Sequence, residues 1–146
     1  MPTRTARTAW NGSLQEGSGQ VELSSSKVGT YEVSFPKRAA DEAGGTTSPE
    51  ELIAAAHSSC FAMALSNEIG KAGGTTQSLE VTADVTLGQQ DGAPTITSIK
   101  LTVRGEVEGL DAAGFTAAAQ AAKAGCPVSR ALAGVGDISV EATLER

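Results

Sequence analysis

The chain has 146 residues, of which 40% are apolar and 19% charged, in the proportions of an ordinary soluble globular protein. That length suits a single domain, 1–146, with a core of its own. A net charge of −6 argues against non-specific nucleic-acid binding and against a basic membrane-binding patch.

The elements follow in chain order. The first third contains three strand-like pieces, "RTARTAWNG", "GQVELSSS" and "TYEVSFP", with Gly12, Gly17 and Gly29 as turn residues between them. "KRAADEAGGTTS" is polar and reads as a loop. A long helix then runs from about Pro49 to Gly70 or Gly73. "SLEVTADVTL" and "PTITSIKLTVRGEV" are strands, and in the second Ile99, Leu101 and Val103 alternate with polar residues, the period of a half-buried strand. "DGA" between them is a hairpin turn. Asp111 can cap a second helix, "AAGFTAAAQAAKA", which Gly125 should end. "CPVSRALAG" looks like a short helix and "DISVEATLE" like a last strand. The order β-β-β-α-β-β-α-α-β predicts an α+β fold.

The start of the long helix is written in its residues. Ser48 is a good N-cap, Pro49 fits the first helical position, and Glu51 falls where a capping box places its carboxylate. Glu50 is left without a capping role, and the simplest reading makes it a solvated partner of the helix dipole. Beyond Glu51, small residues lie on every face, which predicts a helix buried on all sides and open to close approach by another backbone.

Two cysteines carry the chemistry. Cys60 lies three residues after His57, on roughly the same helix face, where a neutral imidazole could stabilise a thiolate. A free cysteine is also among the most buried residue types, and His57 could merely satisfy a carbonyl. Cys126 sits between Gly125 and Pro127, at or near an N-cap, where free N–H groups and the helix dipole favour a thiolate. By this local physics either thiol could attack and either could resolve. Two cysteines and one histidine without a CxxC pair make a poor metal site, and no cofactor is expected.

Taken together, "SPEELIAAAHSSCFAMAL", "TADVTL" and "KAGCPVS" resemble the OsmC branch of the OsmC/Ohr family, the osmotically inducible and organic hydroperoxide resistance proteins. The likeness covers nearly the whole chain. It implies antiparallel sheets wrapped around long central helices in an intertwined homodimer, with two active sites at the interface. It also implies a thiol-dependent peroxidase that reduces organic hydroperoxides and hydrogen peroxide. By position, Cys60 matches the family's peroxidatic cysteine, Cys126 its resolving cysteine and Glu50 its active-site glutamate. Arg38, in "SFPKRAADE", is the best match to the branch's catalytic arginine; no GGR segment of the sister Ohr branch is present.

The chemistry suits those residue types. Arg38 would lower the pKa of Cys60, Glu50 would hold its guanidinium in a bidentate pair, and the Cys60 sulfenic acid would condense with Cys126. The family implies a dihydrolipoyl-type external dithiol as reductant, with thioredoxin as the alternative. Two other classes stand beside this: a general thiol–disulfide oxidoreductase, whose usual CxxC is absent, and a non-catalytic binding domain with inert thiols. No apolar run could span a bilayer, and "MPTRTARTAWNG" lacks the apolar region of a signal peptide, so a cytoplasmic location is expected. There, two cysteines fit inert thiols or redox chemistry better than a permanent structural disulfide. Ten residues separate Glu50 from Cys60, about 15 Å of helix rise; if Glu50 serves Cys60, a sharp bend or the other subunit must bring it there, and the other subunit is expected, the alternative being that Glu50 never meets Cys60 and only complements its own helix dipole.

Overall fold

The computed structural model describes residues 1–145. The elements are β1 (Arg7–Asn11), β2 (Ser18–Glu22), β3 (Thr30–Val33), α1 (Phe35–Arg38), α2 (Pro49–Lys71), β4 (Thr75–Gln90), β5 (Ala93–Glu108), α3 (Ala112–Gly125), α4 (Pro127–Ala131) and β6 (Ile138–Glu145). The chain divides into two compact units, Met1–Leu52 and a second beginning at Ile53. Among the described residues no helix is long and apolar enough to cross a membrane.

The first unit holds an antiparallel sheet in the order β1-β2-β3. Its hairpins are short because glycines allow tight turns. Gly12 has φ +98°, and a Cβ there would come within 2.9 Å of the Gly17 Cα. After β3 the chain turns sharply. Ser34 accepts a hydrogen bond from the Lys37 N–H, Pro36 sits in the first turn, and one turn of helix results. The sequence reading carried the third strand through Pro36 and made residues 37–48 a loop. Helix α1 replaces both at Phe35–Arg38, because a capping serine and an early proline initiate a helix even where it runs only one turn.

The second unit is built on β5. Its alternating residues Ile99, Leu101, Val103 and Val107 are buried, while Lys100, Arg104 and Glu106 point outward. β4 pairs with it antiparallel along 16-residue strands, turning at Asp91 and Gly92, whose φ values of 53° and 79° suit a two-residue hairpin. β6 lies on the other side of β5 and runs parallel to it, from Ile99 opposite Ile138 to Glu106 opposite Glu145. The antiparallel arrangement expected from sequence thus holds for β1–β5, and the last strand makes this sheet mixed. The parallel pairing requires a crossover, which α3 and α4 supply.

Onto the inner face of this sheet pack Phe61, Leu65 and Ile69 of α2 and Phe115, Ala118, Ala119 and Ala122 of α3. These positions recur at three- and four-residue spacing, one stripe per helix. Asp111 caps α3 by accepting from the Gly114 N–H at 2.7 Å. Helix α2 is not buried on every side as its composition suggested. His57, Phe61, Leu65 and Ile69 are buried, whereas Ala55, Ala56, Ser59 and Met63 are exposed, Met63 by 73%. Small residues lack the apolar area to force burial, and within one chain only the stripe of large side chains turns inward.

Gly105 marks the tightest point of this core. A Cβ there would meet the Phe115 ring at 2.7 Å and Leu79 Cδ2 at 2.9 Å. Gly105→Val should therefore displace Phe115 and destabilise the protein by about 1–3 kcal/mol, read as a lower urea midpoint at unchanged slope. An unchanged midpoint would show that the ring has room to move.

Candidate active site

Two sets of side chains assemble, one in each unit. In the first, Arg38 stands in the last turn of α1 and Glu50 in the first turn of α2. Arg38 Nε donates to Glu50 Oε1 at 2.9 Å and its terminal nitrogen to Oε2 at 2.8 Å. This is a bidentate fork, the geometry that fixes the direction of a guanidinium. Glu50 is 7% exposed, so it is not the solvated dipole partner of the simplest reading. The hydrogen bond from Arg38 to Glu50, which outweighs its partial burial, holds the guanidinium above its ordinary value and so charged. Neighbouring residues prepare the fork. Ser48 caps α2 by accepting from the Glu51 N–H at 3.1 Å, and the Glu51 carboxylate takes the Thr47 hydroxyl instead of completing a capping box. Trp10, Leu14, Val33, Phe35 and Pro49 join Arg38 around an apolar recess of about 230 Å³.

The second set lies where α2 meets α4. Cys60 Sγ and Cys126 Sγ are 2.9 Å apart, and both are free thiols. Cys126 is wholly buried and Cys60 partly exposed. Cys126 is the N-cap of α4, with Pro127 at the first helical position, and its own N–H bonds the Ala122 carbonyl at 2.9 Å. The chain therefore passes directly from α3 to α4 through Cys126, whose side chain makes no cap hydrogen bond and meets Cys60 instead.

The electrostatics of the pair are unequal. Burial pushes the Cys60 thiol up, the adjoining Cys126 adds to this, and the Val128 N–H opposes it only partly. Burial also pushes Cys126 up, but Cys60, the N–H and hydroxyl of Ser129 and the Val128 N–H together outweigh it and bring Cys126 below its ordinary value.

His57, wholly buried one helical turn before Cys60, does not serve Cys60 as its spacing suggested. Its Nε2 lies 2.7 Å from Ser129 Oγ. Ser129 is the residue that sequence reasoning missed, although "KAGCPVS" contains it. Its position three residues after a capping cysteine was the available signal, since an N-cap side chain faces the N–H of that residue. Arg104, on the outward face of β5, donates to Glu145 at 2.7 Å.

Comparison with known proteins agrees with this assembly. Residues 41–141 match the family of OsmC-like proteins. The chain is 45% identical over 123 residues to Peroxiredoxin OsmC of Escherichia coli (strain K12), covering 84% of this chain and 85% of that protein. Among solved structures, an organic hydroperoxide resistance protein from Elizabethkingia anophelis shares 28% identity with a TM-score of 0.74, over 100% of this chain and 97% of its own. The organic hydroperoxide resistance protein OhrB of Bacillus subtilis shares 25% identity with a TM-score of 0.69, over 97% of this chain and 98% of its own. The fold and the matched residues define an OsmC/Ohr-type α+β protein. The chain belongs to the OsmC family. Glu50, Cys60 and Cys126 fall inside the matched residues and Arg38 just before them, but the fork to Glu50 ties Arg38 to the same set.

Burial holds the His57 imidazole below its ordinary value of 6.5. The folded protein therefore keeps His57 neutral while the unfolded chain takes up a proton, so its contribution is complete above that value and is lost as pH falls below it. His57→Gln should make the urea midpoint fall less between about pH 7.5 and about pH 5.5. An equally steep fall in the variant would mean that His57 is freely protonated in the fold.

Proposed function

We propose that this protein is a thiol-dependent peroxidase that reduces organic hydroperoxides and hydrogen peroxide, with Cys60 as the peroxidatic and Cys126 as the resolving cysteine. The observation that carries the reading is the pair of sulfurs 2.9 Å apart in a chain so similar to Peroxiredoxin OsmC. A binding domain with inert thiols has no use for two free sulfurs held face to face.

The half-exposed Cys60 is the thiol a peroxide can reach. Its thiolate attacks one peroxide oxygen, the O–O bond breaks and an alkoxide or hydroxide leaves. Cys60 becomes a sulfenic acid, which Cys126 converts to a disulfide before further oxidation. An external dithiol, of the dihydrolipoyl type by family likeness, returns both thiols. The apolar recess beside Arg38 suits the alkyl or aryl part of an organic substrate.

Cys60 needs a cation to become the better nucleophile, because its surroundings within one chain push its pKa up. Arg38, aimed by Glu50, is that cation, and in this reading it comes from the partner subunit of a homodimer. Two features support the arrangement. Ten residues of continuous α2 separate Glu50 from Cys60, about 15 Å of rise. The exposed small face of α2, with Ala55, Ala56 and Ser59, allows a second helix to approach closely.

Cys60→Ser should abolish peroxide consumption, and Cys126→Ser should complete one turnover and stop with a sulfenic acid on Cys60. The reverse pattern, with sulfenic acid forming in Cys60→Ser, would exchange the two roles. Arg38→Ala should slow the first oxidation by at least about tenfold, and Arg38→Lys should restore only part, since an ammonium lacks the fork. Unchanged thiol oxidation in Arg38→Ala would show that another group activates Cys60. The shared site has its own test. A heterodimer of a Cys60→Ser subunit and a Glu50→Ala subunit should recover one working site, whereas mixed dimers no more active than their parents would place Glu50 outside the partner's site.

A further inference from the structure

Helix α4 is too short to hold itself in place. It has five residues, Pro127–Ala131, and Ser129 is the one among them that is buried. Pro127, Arg130 and Ala131 are exposed and Val128 is half-buried. A helix this short gains little from its own hydrogen bonds, and α4 sends no large apolar side chain into the core. Yet Cys126, the residue just before it, stands against Cys60 of α2.

What the buried Ser129 meets is His57. Its hydroxyl lies 2.7 Å from His57 Nε2, and the two residues, 7% and 0% exposed, come from segments 72 residues apart. Either tautomer of a neutral imidazole makes this bond, one by donating from Nε2 and the other by accepting the serine proton. Such a bond is directional, and parting the two side chains would leave two buried polar groups unsatisfied.

The pair repeats the spacing of the sulfurs. His57 and Cys60 are three residues apart on α2, and Cys126 and Ser129 are three residues apart at α4, so each couple lies on one face. His57 meets Ser129 at 2.7 Å and Cys60 meets Cys126 at 2.9 Å. Two neighbouring rungs therefore join the same two segments, pairing them in opposite chain directions. Oxidation turns one rung into a covalent bond and leaves the other as it is.

We propose that the His57–Ser129 hydrogen bond is the permanent rung: it holds α4 on α2 while the sulfurs are unbonded, and so sets the effective concentration of Cys126 at Cys60. His57 and Ser129 are positioning residues for disulfide closure, and the assignment rests on the peroxidase reading only for the identity of the oxidant. In closure the Cys126 sulfur attacks the sulfenic sulfur of Cys60. The sulfur–sulfur bond forms, the sulfur–oxygen bond breaks, and hydroxide leaves with the Cys126 proton as one water. A thiol already held beside its target reacts as though it were present at high concentration, because its freedom was lost on folding.

Equilibrium with glutathione measures that effective concentration without any peroxide. The dithiol protein and one glutathione disulfide give the Cys60–Cys126 disulfide and two glutathione thiols. Ser129→Ala should lower the effective concentration about fivefold, the worth of one hydrogen bond between neutral groups, with far-UV circular dichroism unchanged. His57→Leu should lower it by a similar factor. The two residues act through one bond, so the double variant should lose no more than either single variant, whereas independent packing roles would multiply the losses. Should His57→Leu not fold, Ser129→Ala, which removes a single oxygen atom, decides alone. With an organic hydroperoxide as oxidant, Ser129→Ala should form the Cys60 sulfenic acid at the wild-type rate, close the disulfide more slowly and accumulate sulfinic acid. Absence of any sulfenic acid in the wild type would remove the peroxidase reading and leave the glutathione result standing. An unchanged effective concentration in folded Ser129→Ala would overturn the clamp, as would multiplied losses in the double variant.

Discussion

The burial of one stripe of α2, Phe61, Leu65 and Ile69, against β5 and α3 sets the position of everything chemical in the second unit. Cys60 immediately precedes the stripe and His57 lies one turn further back, so the rotation of α2 that buries Phe61 also turns both toward α4. Each such side chain is worth roughly 1.5–3 kcal/mol of transfer free energy when fully buried. Neither thiol nor imidazole could hold that rotation alone. On the other side, α3 is fixed by Phe115 over Gly105, and the α3–α4 junction carries Cys126 to the same place. The two sulfurs meet because two helices are separately locked to one strand.

The two sets of side chains, one in each unit, differ in kind. The Arg38–Glu50 fork is a strong, directional ion pair at the margin of the first unit, with the arginine side chain 34% exposed. Its strength lies in orientation, since half-exposed pairs add little to stability. Cys126, by contrast, is wholly buried, with the Cys60 sulfur 2.9 Å away, in a dry interior where dipoles count for more than in water.

Much of this could be read from local sequence. Ser48 and Pro49 marked the start of α2, Asp91 and Gly92 the hairpin, Asp111 the cap of α3, and the alternation of Ile99, Leu101 and Val103 the buried face of β5. Those signals are local, each confined to a few neighbouring residues. Helix α1 escaped because one turn is too short to show a period, even though Ser34 and Pro36 announce it. The parallel course of β6 and the contact of His57 with Ser129 escaped for a different reason. They join segments far apart in the chain, and such pairing leaves no periodic trace in either. The Arg38–Glu50 fork lay between these cases: the resemblance named the residues, and only the geometry supplied the bidentate bond and the burial of Glu50.

The separation of the two cysteines along the chain has a consequence of its own. A bond between their sulfurs would close a loop of 66 residues that contains the whole β4–β5 hairpin and α3. Closing a loop of that size removes conformational freedom from the unfolded chain amounting to roughly 4 kcal/mol. The oxidised form would therefore be the thermodynamically sturdier one, and returning it to the dithiol state would loosen the protein as well as rearm it. Exposure to oxidant would leave the molecule hardest to unfold at the moment when its surroundings are most damaging to proteins.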